Sequence, residues 1–444
     1  MIDEMIAPPD KNAEPTPIGR FLGLEKHEYR AVAWSFVYFF CVLSAYYILR
    51  SVRETMAVEG GVHNIPWLFS GTFVVMLLVT PIFGWVASRF PRKSFLPAVY
   101  YFFVANILLF WAGFTYAIEN DFDFIWIGRA FFVWLSVFNL FVVSVFWSFM
   151  ADIFTHEQGR RLFGVITAGG SVGALLGPLA TSALVVPIGF HNLLPISAAL
   201  LLFSVFCIAK LRQWVETRSG GEIAESVASA KPLGGNAFGG ISHVAKSKYL
   251  SAIAVASIIA SLMGTALYMF MAELVGDAFA STDERTRIFA LIDAATSTLA
   301  MIAQLLVVRR FIGRFGIGIT LTLLPLISLV GFALLAVNPA FAVVAVLQLV
   351  RRSLGFGLTK PTNDMLYSVV IPEEKYKAKN FIETAVYRGG DLIGTWSVRL
   401  LSGLGISGIS LVMLPFAILW ALIGLWLGRD YLRRDKLGVG EPKP

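Results

Sequence analysis

Residues 124–151 read FIWIGRAFFVWLSVFNLFVVSVFWSFMA, a run in which Arg129 is the one charged side chain. A helix needs about 20 mostly apolar residues to cross the hydrocarbon core of a bilayer, and this run is longer than that. Outward from it, similar runs recur from Ala31 nearly to Arg429, parted by short polar breaks. Of the 444 residues, 57% are hydrophobic and 15% charged, more apolar surface than a soluble domain of this length buries. Lipid is therefore the expected solvent. The runs predict helices at 31–58, 65–88, 95–117, 124–151, 162–187 and 191–212. A second set follows at 249–276, 288–308, 316–338, 340–369, 382–403 and 407–428. The fold class that results is an all-α, multi-pass membrane protein of twelve transmembrane helices.

A formal charge of +7 raises the question of nucleic acid, but the placement of the basic residues answers it otherwise. Of 36 Lys and Arg, 26 fall in the tails, in the breaks after the second, fourth, sixth, eighth and tenth helices, or, as Lys210 and Arg212, in the last turn before the sixth break. The opposite side holds Arg285 and Arg287. Basic breaks stay in the cytoplasm, so both termini are expected inside, with membrane lipids and not nucleic acid as surroundings. The first 30 residues are polar, carry Pro8, Pro9, Pro15 and Pro17, and lack the pattern of a signal peptide. Cys41 and Cys207 lie within apolar runs, which gives neither a disulfide framework nor a metal-ligand cluster. No GxxxxGK[ST] loop occurs, so movement driven by gradients or exchange is expected, without a cofactor and without enzymatic chemistry.

The interval 213–248 is the longest polar stretch, rich in Gly, Ser and Ala, and reads as a cytoplasmic linker. It divides an expected six-helix half at 31–212 from another at 249–428, with cytoplasmic tails at 1–30 and 429–444. Arg89-Phe90 with Arg92-Lys93 after the second helix is echoed by Arg310-Phe311 with Arg314 after the eighth. Likewise Glu157, Arg160 and Arg161 precede Gly169-Gly170, as Glu374, Lys375, Lys377 and Lys379 precede Gly389-Gly390. Two echoes in register point to a parallel repeat of two halves.

The segment GWVASRFPRK, Gly84 to Lys93, resembles the signature loop of the major facilitator superfamily, with Ser88 where an acid usually stands. Gly173, Gly177 and Pro178 are similar to the GxxxGP element of antiporters in that superfamily, and Arg129 resembles its fourth-helix arginine. This resemblance implies a cytoplasmic gate at Arg89, Arg92, Lys93, Arg310, Arg314, Gly173, Gly177 and Pro178. A narrower likeness lies in YYILRSVRETMAV (Tyr46 to Val58) and TKPTNDMLYSVVIPEEKYKAKNFIETAVYRGGD (Thr359 to Asp391). Both resemble the nucleotide translocase branch, the ATP/ADP antiporters, although a Lys-Asp pair of that branch reads Arg53-Glu54 here.

Basic residues at membrane depth cost about 2.5 to 3.5 kcal/mol each and need a cavity, partner or ligand. Eight lie in or at the ends of the expected helices: Arg50, Arg53, Arg129, Arg351, Arg352, Lys360, Arg388 and Arg399. Arg50, Arg53 and Glu54 share one side of the first helix. Arg388 and Asp391 stand at i, i+3, and Lys360 and Asp364 at i, i+4 beside Pro361, which is expected to interrupt the tenth helix. Arg351 and Arg352 are adjacent, so one of the two is expected to line the cavity. Bland readings compete: snorkelling for Arg50, a packing ion pair for Arg53 with Glu54, an outer-surface pair with Asp121 or Asp123 for Arg129, an interfacial place for Arg399. Asp293 reads either as a coupling site or as a helix contact beside Thr296 and Ser297.

Intramembrane bases outnumber acids such as Glu54, Asp293, Asp364 and Asp391, which favours an anionic passenger. Arginine forks suit phosphate oxygens, so a small anionic, phosphorylated metabolite is expected, with nucleotide exchange the first candidate. The expected contacts are Arg50, Arg53, Glu54, Arg129, Arg351, Arg352, Lys360, Arg388 and Asp391, with Asp293 for coupling. The alternative is a proton-coupled exporter of amphiphilic molecules, suggested by the GxxxGP element and the aromatic fourth helix. Residence as a monomer in a bacterial inner membrane is expected.

Overall fold

The structure is a computed structural model that describes residues 24–89, 92–219 and 241–437. These are helical nearly throughout, and no strand occurs among the described residues. The principal helices are α1 (Tyr29–Glu59), α2 (Ile65–Arg89), α3 (Arg92–Glu119), α4 (Ile125–Ile153), α5 (His156–Ile188) and α6 (Leu193–Ser219). After them come α7 (Lys248–Ala278), α8 (Thr282–Ile302), α9 (Val308–Val337), α10 (Phe341–Leu354), α11 (Tyr387–Leu400) and α12 (Gly405–Lys436). Eleven of the described helical runs are long and apolar enough to cross a membrane. The run through α11 does not qualify by composition, because Arg388, Asp391 and Arg399 crowd it.

Polar residues mark where several helices begin. Thr155 and Gln158 form a reciprocal capping box at the start of α5, Ser247 accepts from the Leu250 amide at the start of α7, and Ser281 from that of Glu284 before α8. Each satisfies an amide that an isolated helix end would leave unpaired.

By packing, the chain forms two compact units. Unit 1 comprises Met1–Arg53, Ile82–Leu233 and Phe289–Ala294, and unit 2 comprises Glu54–Pro81, Gly234–Ile288 and Ala295–Pro444. The core of unit 1 is aromatic: Phe39 and Phe146 stack at 4.2 Å, and the buried Tyr38 and Tyr100 hydroxyls meet at 2.5 Å, with Tyr100 also reaching the Val142 carbonyl. In unit 2, α9 and α12 approach backbone to backbone at Gly318 and Gly428.

Helix boundaries differ from expectation where the chain continues as helix through a polar stretch. The break expected at 370–381 contains a helix, Pro372–Phe381, with Pro372 in its first turn, which passes through a π turn at Ile382–Val386 into α11. Pro361 does not interrupt the tenth helix, since a π turn at Gly355–Thr359 widens the backbone ahead of it and helix resumes at Lys360–Leu366. After α8 a π turn, Ala303–Val307, carries helix on to Gly316, whose φ of 75° makes the real break, so Arg310 and Arg314 are helical. The interval expected as a linker is helical at both described ends, since α6 runs to Ser219 and Ile241–Lys246 is helical. Residues 220–240 lie outside the described residues. The tail expected from 429 is likewise helical to Lys436, held by Arg434 Nε on Asp430 Oδ2 at 2.7 Å.

Candidate functional site

Unit 2 gathers three arginines. Arg351, at the end of α10, donates to the Ala260 carbonyl on α7 and lies over the Trp420 ring at 5.9 Å. Its Nη1 passes 2.7 Å from where a Cβ on Gly264 would stand, so a larger residue there would push the guanidinium aside. The Nε of Arg351 is shielded from solvent and meets no hydrogen-bond acceptor among the described residues. Across from it, Asp391 on α11 is buried and accepts from Ser261 and, at 3.3 Å, from Thr265, both on α7. Arg388 Nη1 lies 3.6 Å from the other oxygen of Asp391 and remains more than one-third exposed. Tyr387 is within electrostatic reach of Asp391, Arg351, Arg388 and Arg352. Arg351 and Arg352 both act electrostatically on Tyr387. The carboxylate of Asp391, held by hydroxyls of α7, has Arg388 beside it, and all three guanidinium charges act on Tyr387.

Lys360 lies apart from a simple role as a ligand. Its Nζ meets Glu383 at 2.5 Å and Asp364 at 3.5 Å, while Lys379 meets Asp364 at 2.7 Å and Glu383 at 4.0 Å. The expected i, i+4 pair is therefore half of a four-charge network that ties Lys360–Leu366 to the helix before α11 and its π turn. Lys379 falls in the break expected at 370–381 and Glu383 at the start of the span expected at 382–403, so helical spacing pairs neither with Lys360. Arg399 donates to the His63 carbonyl at 2.9 Å and lies over Trp396.

In unit 1, Arg50 does not snorkel. Its Nε stands 3.6 Å from Asp293 Oδ2, with side chains 16% and 3% exposed, and its guanidinium lies near the Tyr47 ring. Arg53 stacks over Phe132 of α4 at 4.8 Å. Arg129 stacks over Trp126 at 4.5 Å, while Asp123 accepts from the Ile125 amide. Glu54 is buried in unit 2.

The expected gate residues fall into separate places. Gly173 and Gly177 lie against α1, where added Cβ atoms would come within 2.5 Å of the Phe40 carbonyl and 2.8 Å of the Ser44 carbonyl, and Pro178 is buried beside them. Arg89 is exposed at the end of α2, Arg310 reaches back 3.5 Å to the Leu306 carbonyl, and Arg314 lies over Phe315. Arg92 and Lys93 open α3, and their side chains lie outside the described residues. Two features had no signal in the sequence. Glu28, fully buried, accepts from Gln158 and Arg161 at 2.8 Å each, and this pairing answers the charge where Glu25, His27 and Glu28 converge. A cavity of about 490 Å³ in unit 2 is lined by Glu59, Glu273, Asp277, Arg285 and Arg399, with Arg285 on Glu59 at 2.8 Å.

Comparison with known proteins adds the following. The family model described as Major Facilitator Superfamily matches residues 34–393. ADP,ATP carrier protein 2 of Chlamydia pneumoniae is 21% identical, over 92% of this chain and 90% of its own length. ADP,ATP carrier protein 1 of Chlamydia muridarum is 23% identical, over 91% and 88%. Among solved structures, a bacterial homologue of the iron transporter ferroportin, in an inward-facing state, superposes with a TM-score of 0.65 at 12% identity, covering 90% of this chain and 98% of its own.

Proposed function

Because this chain belongs to the major facilitator superfamily, we propose that it is a secondary transporter moving an anionic, phosphorylated metabolite by alternating access. Nucleotide exchange is the first candidate. The observation that carries this reading is the positive charge around Tyr387, to which Arg351, Arg352 and Arg388 all contribute beside the carboxylate of Asp391. Arg351 donates to a neutral carbonyl and lies over a ring, and among the described residues its Nε donor meets no acceptor. A buried cation in that state is costly, and a phosphate oxygen would compensate it through a charge-assisted hydrogen bond. Asp391 acts as a fixed counter-charge that orients Arg388 toward the anion. The printed names of the two chlamydial relatives support nucleotides as first choice.

In this reading the run Pro372–Leu400 supplies a twelfth crossing, its charges tolerated because they line a polar path. The chain then has two six-helix halves, 31–212 and 249–428, and both termini in the cytoplasm of a bacterial cell whose inner membrane it spans as a monomer. The alternative, export of amphiphilic molecules, draws on the Arg53–Phe132 stack within an aromatic fourth helix.

Counterflow into proteoliposomes preloaded with nucleotides, sugar phosphates, inorganic phosphate or dicarboxylates tests the proposal. Uptake of at least one phosphorylated anion, strongest with a matching internal solute, is expected. Uptake of none of them, with lipophilic cations moving instead, would favour the exporter.

A further inference from the structure

Three π turns occur in unit 2, at Ala303–Val307, Gly355–Thr359 and Ile382–Val386. Their positions relative to the charged residues are regular. Arg351 and Arg352 precede the second and Lys360 follows it, while Glu383 lies in the third and Arg388 follows it. Along the chain, the second turn parts Arg351 and Arg352 from Lys360, and the third runs from the network, at Glu383, to Arg388.

The second turn has an accounting problem in its backbone. In a π turn the carbonyl of residue i accepts from the amide of residue i+5, and in an α-helix from i+4. For Phe356 those donors are Pro361 and Lys360. Pro361 has no N–H, and the Lys360 amide is used by the Gly355 carbonyl. The Phe356 carbonyl has lost both helical donors, in a run long and apolar enough to cross a membrane, where lipid would offer no replacement. Gln304, inside the first π turn, supplies one: its Nε2 donates to the Phe356 carbonyl at 3.2 Å. The two turns are also pressed together, since a Cβ on Gly357 would stand 2.8 Å from Ala303 Cβ and 3.0 Å from the Ala300 carbonyl. A glycine contact without side-chain interlock permits relative tilting, while the Gln304 bond holds the register.

We infer that these paired π turns form a pivot, pinned by Gln304, about which the segment Lys360–Val369 tilts relative to α10 during transport. This rests on the transport reading above and assigns Gln304 as a positioning residue that carries no substrate. Movement of that segment separates or closes Lys360 and Asp364 against Lys379 and Glu383, and so links the state of the charge network to the arginines on the other side of the turn.

A double-mutant cycle tests it. Gln304→Leu removes the pin, whereas Pro361→Ala restores an amide for the Phe356 carbonyl and should make Gln304 dispensable. With a cysteine introduced at the exposed Ser368, maleimide labelling reports tilt without any transported solute, and the native Cys41 and Cys207 are buried. The labelling rate should change about fivefold to tenfold in Gln304→Leu, the scale of one lost hydrogen bond, and return to the parent rate in the double variant. In proteoliposomes, the maximal rate of radiolabelled ADP exchange should fall by a similar factor at unchanged KM, and recover likewise. Parental labelling in a folded Gln304→Leu protein would overturn the pivot, as would a double variant no better than the single. If Gln304→Leu cannot be purified, recovery of a folded double variant supports the pin, and loss of both refutes it. Absence of ADP exchange in the parent, with the labelling cycle intact, would count against the anion reading alone.

Discussion

Arg50 and Asp293, far apart in sequence, form a buried ion pair in unit 1 with Nε 3.6 Å from Oδ2. A single buried charge left behind by removing its partner is much worse than none. Asp293→Ala and Arg50→Ala are each expected to destabilise the protein by about 3 to 5 kcal/mol, whereas the apolar double variant Arg50→Met/Asp293→Leu recovers most of that. Thermal midpoints in detergent for the three variants check this. A double variant no more stable than either single would remove the pair as a linked unit.

Asp391 is held by Ser261 and Thr265 and in turn faces Arg388. Asp391→Asn keeps an acceptor for the α7 hydroxyls but removes the counter-charge, so stability should change by less than about 1 kcal/mol. Asp391→Ala removes the acceptor that both hydroxyls share, leaving Ser261 the Tyr387 carbonyl at 3.1 Å, and should cost about 1 to 3 kcal/mol. Chemical denaturation or thermal melting separates the two, and equal losses would contradict the hydrogen-bond assignment.

The helix-packing glycines divide by surroundings. Gly173→Ala would drive a Cβ to within 2.5 Å of the Phe40 carbonyl, and overpacking of this kind costs about 1 to 3 kcal/mol. Gly164 meets nothing within 4 Å on the same helix, and Gly164→Ala should stabilise by about 0.4 to 1 kcal/mol through the unfolded chain. Melting curves showing the same sign for both would contradict the packing of α5 on α1.

Much of the helix pattern was readable because apolar length is a local property. The expected spans 124–151 and 249–276 fall within two residues of α4 and α7. The misread stretches are those where helix persists through charge, as at Pro372–Phe381, or where a proline was accommodated by a π turn, as at Pro361. A window of hydropathy does not register either. Pairs one turn apart, Lys360 with Asp364 and Arg388 with Asp391, were visible from helical spacing. Arg50 with Asp293, Gln304 with the Phe356 carbonyl, and Glu28 with Arg161 join separate helices, and nothing local to either partner signals the other.

The hydrogen-bonded clasp at Glu28 is a further case of such long-range pairing. Glu28→Ala would leave Arg161 Nη2 and Gln158 Nε2 without the acceptor each reaches at 2.8 Å. A charge-assisted bond of this kind is worth about 1.5 to 3 kcal/mol, so a loss of that size in thermal stability is expected, with Glu28→Gln intermediate. An unchanged midpoint would show that the contact adds nothing.

The central claim is that Arg351, Arg352 and Arg388 hold an anion. Its most direct measurement is counterflow of a phosphorylated solute by the parent protein, Arg388→Lys and Arg388→Ala, with insertion and stability matched. Arg388→Ala should raise KM at least tenfold, about 1.4 kcal/mol, and Arg388→Lys should fall between, because it keeps the charge but loses the fork. Equal KM in all three proteins would contradict the assignment of this cluster as the anion site.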